Sequence, residues 1–349
     1  MLLSYRNKKY LLVLVLLGLC LLFISCREKK KKTTPKVDKK EIRDIREKMD
    51  VKILRYEEQL FTMNQDSMAQ ILERLKNDYA VFLGEHPSTP ENIKQLKNFI
   101  NYSVHQKVYK EIKKQYPDLK DLEKAFTSAF SFIQYHFAET TFPKIYTVLS
   151  GFNFERPIIY EDTFLIINID MYLGADYAYY KRLGGMVPQF IINHYSREYI
   201  MRDCMREMAY KYMKYNFNTN SLLEEMLIEG KRWMFVEMTL PDLHDTIIAG
   251  YTLEKLQWAE QNESNVWTYL INKEYLYSND NMMIKKLIYE APFTAYFGNN
   301  SPGQIGTWIG WQICRSWIKN NPDRKITDLM NEKDPQKILK ESKYKPRKQ

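Results

Sequence analysis

Three acidic residues raise the first chemical question. Asp203 and Glu207 stand four positions apart in a stretch of helical periodicity, so both carboxylates fall on one helix face. Glu229 follows 22 positions after Glu207, beside Gly230 on a second helical stretch. Such a set could serve a peptidase with unusual carboxylate ligands. The histidines do not add to it. His86, His105, His136, His194 and His244 include no pair three or four positions apart, so no helix offers two imidazoles to a zinc ion. There is also no GxSxG elbow, no phosphate-binding P-loop and no GxGxxG following a strand.

A second constellation runs from Asn168 to Tyr180. Asp170, Tyr172, Asp176 and Tyr177 at the end of a strand offer a hydrogen-bonding and stacking surface for a peptide or glycan, or oxygens for a hard cation. The competing reading is a loop that caps the sheet. Asp170 and Asp176 are also a conceivable acid pair for glycoside chemistry. A third segment, Ser301 to Trp317, places Gly303, Gly306 and Gly310 on one helix face with Trp308 and Trp311 beside it. Interior glycines cost up to ~1 kcal/mol each in a helix, so close packing is the preferred reading. Trp308 and Trp311 remain candidates for stacking on a ligand.

The elements that must hold these residues read as α+β. Val51–Phe61 is strand-like, and helical periodicity follows over Asp66–Phe82, from Pro90 to Tyr116, and over Leu119–Phe137. Short β-branched and aromatic runs at 144–149, 156–160 and 164–170 predict a small antiparallel sheet, the last two as a hairpin. Helices return over Arg197–Tyr215 and Leu222–Thr239, the latter opened by a Ser221/Glu224 capping box. Further helices begin near Thr252 and after Ser301-Pro302. No repeat of solenoid length is present.

The net charge of +9 is not spread over this body. Residues 1–49 hold 14 basic and 5 acidic side chains, while 50–349 hold 38 of each. A nucleic-acid binder needs a basic face on its folded domain, so nucleic acid is set aside as a partner. The N-terminus has its own meaning. Three cations precede an unbroken apolar run of 14 residues, Leu11–Ile24, and then Ser25-Cys26. That is the pattern of an export signal, too short for a usual membrane span. Its end resembles a bacterial lipobox, with Cys26 as the lipidated residue. The alternative is an uncleaved anchor. The expected organisation is a lipoprotein signal peptide at 1–25, an acylated (palmitate-bearing) Cys26 with a basic tether to residue 49, one domain over 50–339 and a basic tail over 340–349. Membrane lipid is then a partner through Cys26, and the tether's cations suit anionic head groups. Cys204 and Cys314 could pair or stay free.

Taken together, the lipobox and tether, NIDMYLGADYAYY, the Glu-Gly helix, YTLEKLQWAEQNESNVWTYLI and SPGQIGTWIGWQICRSW resemble the gliding-motility lipoprotein GldB family of the Bacteroidota. The likeness runs from about residue 26 to 335. It also implies a relation to zincin-like proteases, since strands, an acid-bearing helix and then a Glu-Gly helix follow the order of a gluzincin. Here Asp203, Glu207 and Glu229 stand at vestigial metal positions, and two nitrogen ligands are missing. The resemblance implies a degenerate zincin-like fold with no catalytic residue, metal or cofactor. It also implies a periplasmic domain held at the cell envelope, at the outer membrane rather than the inner, and partners in a motility or type IX secretion complex. Two other functions stay open. One is a zinc-dependent hydrolase with a carboxylate-rich site; the other is a peptide- or glycan-binding lipoprotein.

Overall fold

The computed structural model describes residues 37–183, 185–215 and 221–346. The expected signal peptide, Cys26, the first part of the tether and residues 347–349 lie outside them. Helix α1 (Lys39–Glu47) is capped by Asp38, whose carboxylate accepts from the Lys40 and Glu41 amides. It docks on a later helix through buried Ile42, and Asp38 N–H donates to Tyr135 Oη at 3.1 Å. The end of the basic tether is therefore built into the fold.

Strand β1 (Ile53–Arg55) turns directly into α2 (Tyr56–Thr62), so the expected strand over Val51–Phe61 shrinks to three residues. Glu57 and Glu58 lie in the first turn of α2, where acids complement the helix dipole. Helices α3 (Met68–Leu75), α4 (Ala80–Leu83), α5 (Pro90–Asn101), α6 (Ser103–Gln115) and α7 (Lys120–His136) follow. The expected helix from Pro90 to Tyr116 breaks at Tyr102, which is extended. Side chains from the next turn satisfy the carbonyls exposed there: Gln106 Nε2 donates to Ile100 O at 2.7 Å, and His105 Nδ1 lies 2.9 Å from Phe99 O.

The sheet comprises β1, β2 (Lys144–Val148), β3 (Ile158–Glu161) and β4 (Phe164–Asn168), in the order β1-β2-β4-β3. The β3–β4 hairpin is antiparallel as expected, but β1–β2 and β2–β4 are parallel. The small sheet is thus mixed rather than antiparallel. The cause is connectivity: α2–α7 carry the chain from β1 back to the start of β2, a crossover that only parallel neighbours require. A sheet with parallel strands needs both faces covered, and period-two alternation supplies them. Tyr146, Val148 and Ile166 join a small core with α2–α5, while Ile145, Leu165 and Ile167 face the main core.

The rest of the main core is helical: α8 (Gln189–Ile192), α9 (Ile200–Met208), α10 (Leu222–Thr239), α11 (Asp245–Ala249), α12 (Leu253–Asn272), α13 (Asn281–Ile288), α14 (Ile305–Asn320), α15 (Ile326–Asn331) and α16 (Pro335–Ser342). Ser221 caps α10, its Oγ accepting from Glu224 N. Helix α14 starts later than expected, because Ser301 spends its hydroxyl on the preceding loop, bonding Gly298 O at 2.7 Å. Helices α10 and α14 make the most extensive helix contact. They cross glycine on glycine: a Cβ on Gly310 would lie 1.7 Å from Met226 O, and one on Gly230 2.4 Å from the Gly310 carbonyl carbon. Cys204 and Cys314 are both buried free thiols. Among the described residues no helix is long and apolar enough to cross a membrane.

Candidate functional site

Helix α9 is anchored by one face and charged on the other. Met201, Cys204, Met205 and Met208 are buried, at helical spacing. Arg202, Asp203, Arg206 and Glu207 turn the other way and line a cavity of about 350 Å³. The segment Phe154–Ile158, leading into β3, forms the facing wall. A second cavity of about 760 Å³ is bounded by the start of α12 and the loop before α14. His194 and Glu290 line both, so the two are neighbouring chambers.

An alternating ladder of charge runs along this site. Arg206 holds Glu290 at 3.0 Å and Glu229 at 3.6 Å. Arg232 holds Glu229 at 2.8 Å and Glu207 at 3.0 Å, and its guanidinium lies over the Tyr210 ring. Arg202 is paired with Asp203 at 2.6 Å, and Tyr172 Oη donates to the other Asp203 oxygen at 2.9 Å. Burial alone would raise the pKa of Glu229, but Arg232 and Arg206 bring it below the ordinary carboxylate value. Burial opposes ionisation of Glu290 as well, yet Arg206, Arg202 and His194 hold it down at about 2. His194 itself is pushed below its usual range by burial and by Arg202. Its Nε2 lies 3.0 Å from Gly250 O.

The structure thus joins Glu207 and Glu229 through Arg232, while Asp203 pairs separately with Arg202; the three acids form no shared ligand shell. Among the described residues no three His, Cys, Asp or Glu side chains are placed to hold a metal ion. The carboxylate oxygens that zinc would need are spent on guanidinium groups, so the residues present do not fit a zinc centre. Arg202 and Arg206 were readable as an i, i+4 pair interleaved with the acids. Glu290 was not, since it arrives from 84 positions beyond Arg206.

The tyrosine segment divides. Asp170 is fully enclosed and accepts from Ser150 N, Ser150 Oγ and Phe152 N at 3.0, 2.9 and 2.7 Å. It braces a turn in which Phe152 adopts φ +68°. Asp176 is exposed, so these two acids share no solvent-facing site. Tyr172 is buried and belongs to the charged cavity through Asp203. Tyr177 is half-buried and packs edge-on against Tyr180, whose hydroxyl bonds Asp170 O at 2.6 Å. Much of the segment therefore caps the sheet. Trp308 and Trp311 are 1% and 0% exposed and pack edge to face in the helical core. As placed, neither presents a surface to a ligand.

No curated protein and no solved structure gives a significant match to the chain. The family model described as gliding motility protein GldB does match, over residues 36–346, a span that takes in every element described above; the chain belongs to the GldB family of gliding motility proteins.

Proposed function

We propose that this protein is a lipid-anchored envelope lipoprotein acting as a non-catalytic assembly or interaction factor for gliding motility or the type IX secretion machinery. The observation that carries the non-catalytic part is the ion pairing of Asp203, Glu207 and Glu229. Each carboxylate in the zincin-like order is paired with an arginine, which leaves no free donor set. The anchor rests on the lipobox, in which Ser25 precedes Cys26 after an apolar run. Cys26→Ala is expected to abolish lipid labelling and to impair gliding or secretion. Normal labelling, localisation and phenotype in that variant would remove the anchor from the account.

One observation favours a second reading, a hydrolase. Asp203 and Glu207 both reach the same cavity, and carboxylates in a cleft are candidates for acid–base work. Metal analysis separates the readings: stoichiometric zinc in the purified protein, lost on Glu229→Gln, would establish the hydrolase.

A further inference from the structure

The larger chamber, of about 760 Å³, falls in the range of small-molecule sites, roughly 300–1,000 Å³. Its wall includes Pro302, Gly303 and Gln304, the loop that opens α14. A Cβ on Gly303 would lie 2.0 Å from Ala291 O, so this loop is pressed onto the backbone next to Glu290. Gln304 follows in the left-handed region, at φ +53°. The residue is only 6% exposed, yet its side chain does not cap α14 and makes no hydrogen bond among the described residues. A primary amide buried to this degree is normally bonded. Placed at a chamber wall, it points to a group that the chamber receives. The first turn of α14 also holds no acid, so the positive end of its dipole is not offset there.

Charge selects the occupant. Lys255 lines the same chamber and is tied to the same loop, its Nζ donating to Asn299 O at 2.5 Å and Ser301 O at 2.6 Å. An ammonium carries three hydrogens, so one remains. Burial lowers the Lys255 pKa, and no neighbouring carboxylate opposes that shift. The other charged lining groups are Glu198 and Glu290. Glu290 is committed to Arg206, which borders the smaller chamber, and Glu198 is exposed, accepting from Ser196 Oγ at 3.4 Å. His194 Nε2 is engaged at Gly250 O and His244 Nδ1 at Thr246. One cation and one buried amide are thus left without partners, and the two oxygens of a single carboxylate can accept from both. A cationic ligand would face Lys255, and a neutral one would leave its charge unanswered. A dianion would bring a second negative charge past Glu198 and Glu290. Phe190, Tyr199 and Ile247 supply apolar surface for the rest of the molecule.

We infer that this chamber binds a small organic molecule with one carboxylate and an apolar body, the carboxylate held between Lys255 Nζ and the Gln304 side-chain amide. The site does not draw on Asp203, Glu207 or Glu229, so it stands whether or not those acids are catalytic.

The probes are butyrate, hexanoate, phenylacetate and 4-phenylbutyrate, each beside its primary amide. They are titrated calorimetrically into the full chain in neutral detergent micelles, with protein-free micelles as the blank. At least one acid is expected to bind roughly tenfold or more tighter than its amide, because only the acid answers the Lys255 charge. Its binding should slow hydrogen exchange over residues 303–307. Lys255→Met and Gln304→Glu should each weaken that acid by about tenfold or more. No binding of any acid, equal affinity of every acid and its amide, or protection elsewhere in the chain would overturn the inference. So would unchanged affinity in both variants, or phenyl phosphate binding as tightly as the best acid. The acid–amide comparison uses the unaltered protein, so it decides the outcome even if a variant fails to fold.

Discussion

Helix α10 carries two arginine-paired acids eight positions apart, Glu229 and Glu237, and their surroundings differ. Glu237 has no exposed surface; its carboxylate receives Trp311 Nε1 at 2.8 Å and Arg315 Nε at 2.8 Å. Arg315 stacks on Trp311 and reaches on to Asp245, the first residue of α11, at 2.9 Å. Glu229 has the same chemistry but belongs to the ladder that borders a cavity, with Glu207 at its outer end 43% exposed. A carboxylate with no exposed surface, as Glu237 has, can only select one packing arrangement. Where the ladder reaches the cavity wall, at Arg206, Glu207 and Glu290, the same chemistry shapes a surface that another molecule can meet. Ion-pair chemistry therefore does not mark the site; access does.

The contrast breaks most readily at its enclosed end. Glu237→Ala leaves the Arg315 charge buried with a partner missing, and is expected to cost about 3–5 kcal/mol in urea unfolding. A loss below about 1 kcal/mol would show that the network is not a structural keystone. Gly310→Ala drives a methyl group onto the Met226 carbonyl, a backbone atom that cannot yield by changing rotamer. About 3 kcal/mol of destabilisation is expected there, again by urea unfolding, and an unchanged midpoint would contradict the close crossing.

The cavity end is sharpened by pH. Glu290 is held at about 2 against an ordinary 4.5, so its ion pairs stabilise the fold fully above pH 4.5. As pH falls from there toward 2 the unfolded chain takes up a proton first, and that stabilisation is lost. Unfolding free energy measured across this window should fall less steeply in Glu290→Gln, by up to about one proton in slope. An identical slope would mean that the Arg206 pairing is not made in solution. The smallest effect belongs to the outer end of the ladder. Glu207→Gln should change stability by roughly 0.5 kcal/mol or less, because Glu207 itself is nearly half exposed and Arg232 keeps its pairing with Glu229. A much larger loss would place Glu207 in the same class as Glu237.

Much of the fold was legible because its signals are local. Leu222–Thr239 begins and ends where Ser221 and the apolar pattern place it, and the hairpin follows from two β-branched runs flanking a short turn. The close approach at Gly306 and Gly310 was likewise readable, since a glycine cost in a helix implies tight packing, whereas Gly303 falls in the loop before α14 and packs against the Ala291 backbone instead. The parallel pairing of β1 with β2 was not, because 91 positions separate their first residues and no local pattern encodes which strands meet. The same holds for the site. Asp203, Glu207 and Glu229 stood out from their spacing, but the fates of their charges depended on Arg232 and Glu290 arriving from other elements.

Sequence by itself determined most of the elements, the basic and apolar character of the N-terminus, and the family, all of which rest on short-range spacing and residue type. Tertiary structure alone decided that Asp170 is a brace, that Trp308 and Trp311 are core, and that three acids pair with arginines, two of them at a cavity. The reason is physical: solvent access and the partner of a charge are set by residues distant in the chain, which only folding brings within hydrogen-bonding range.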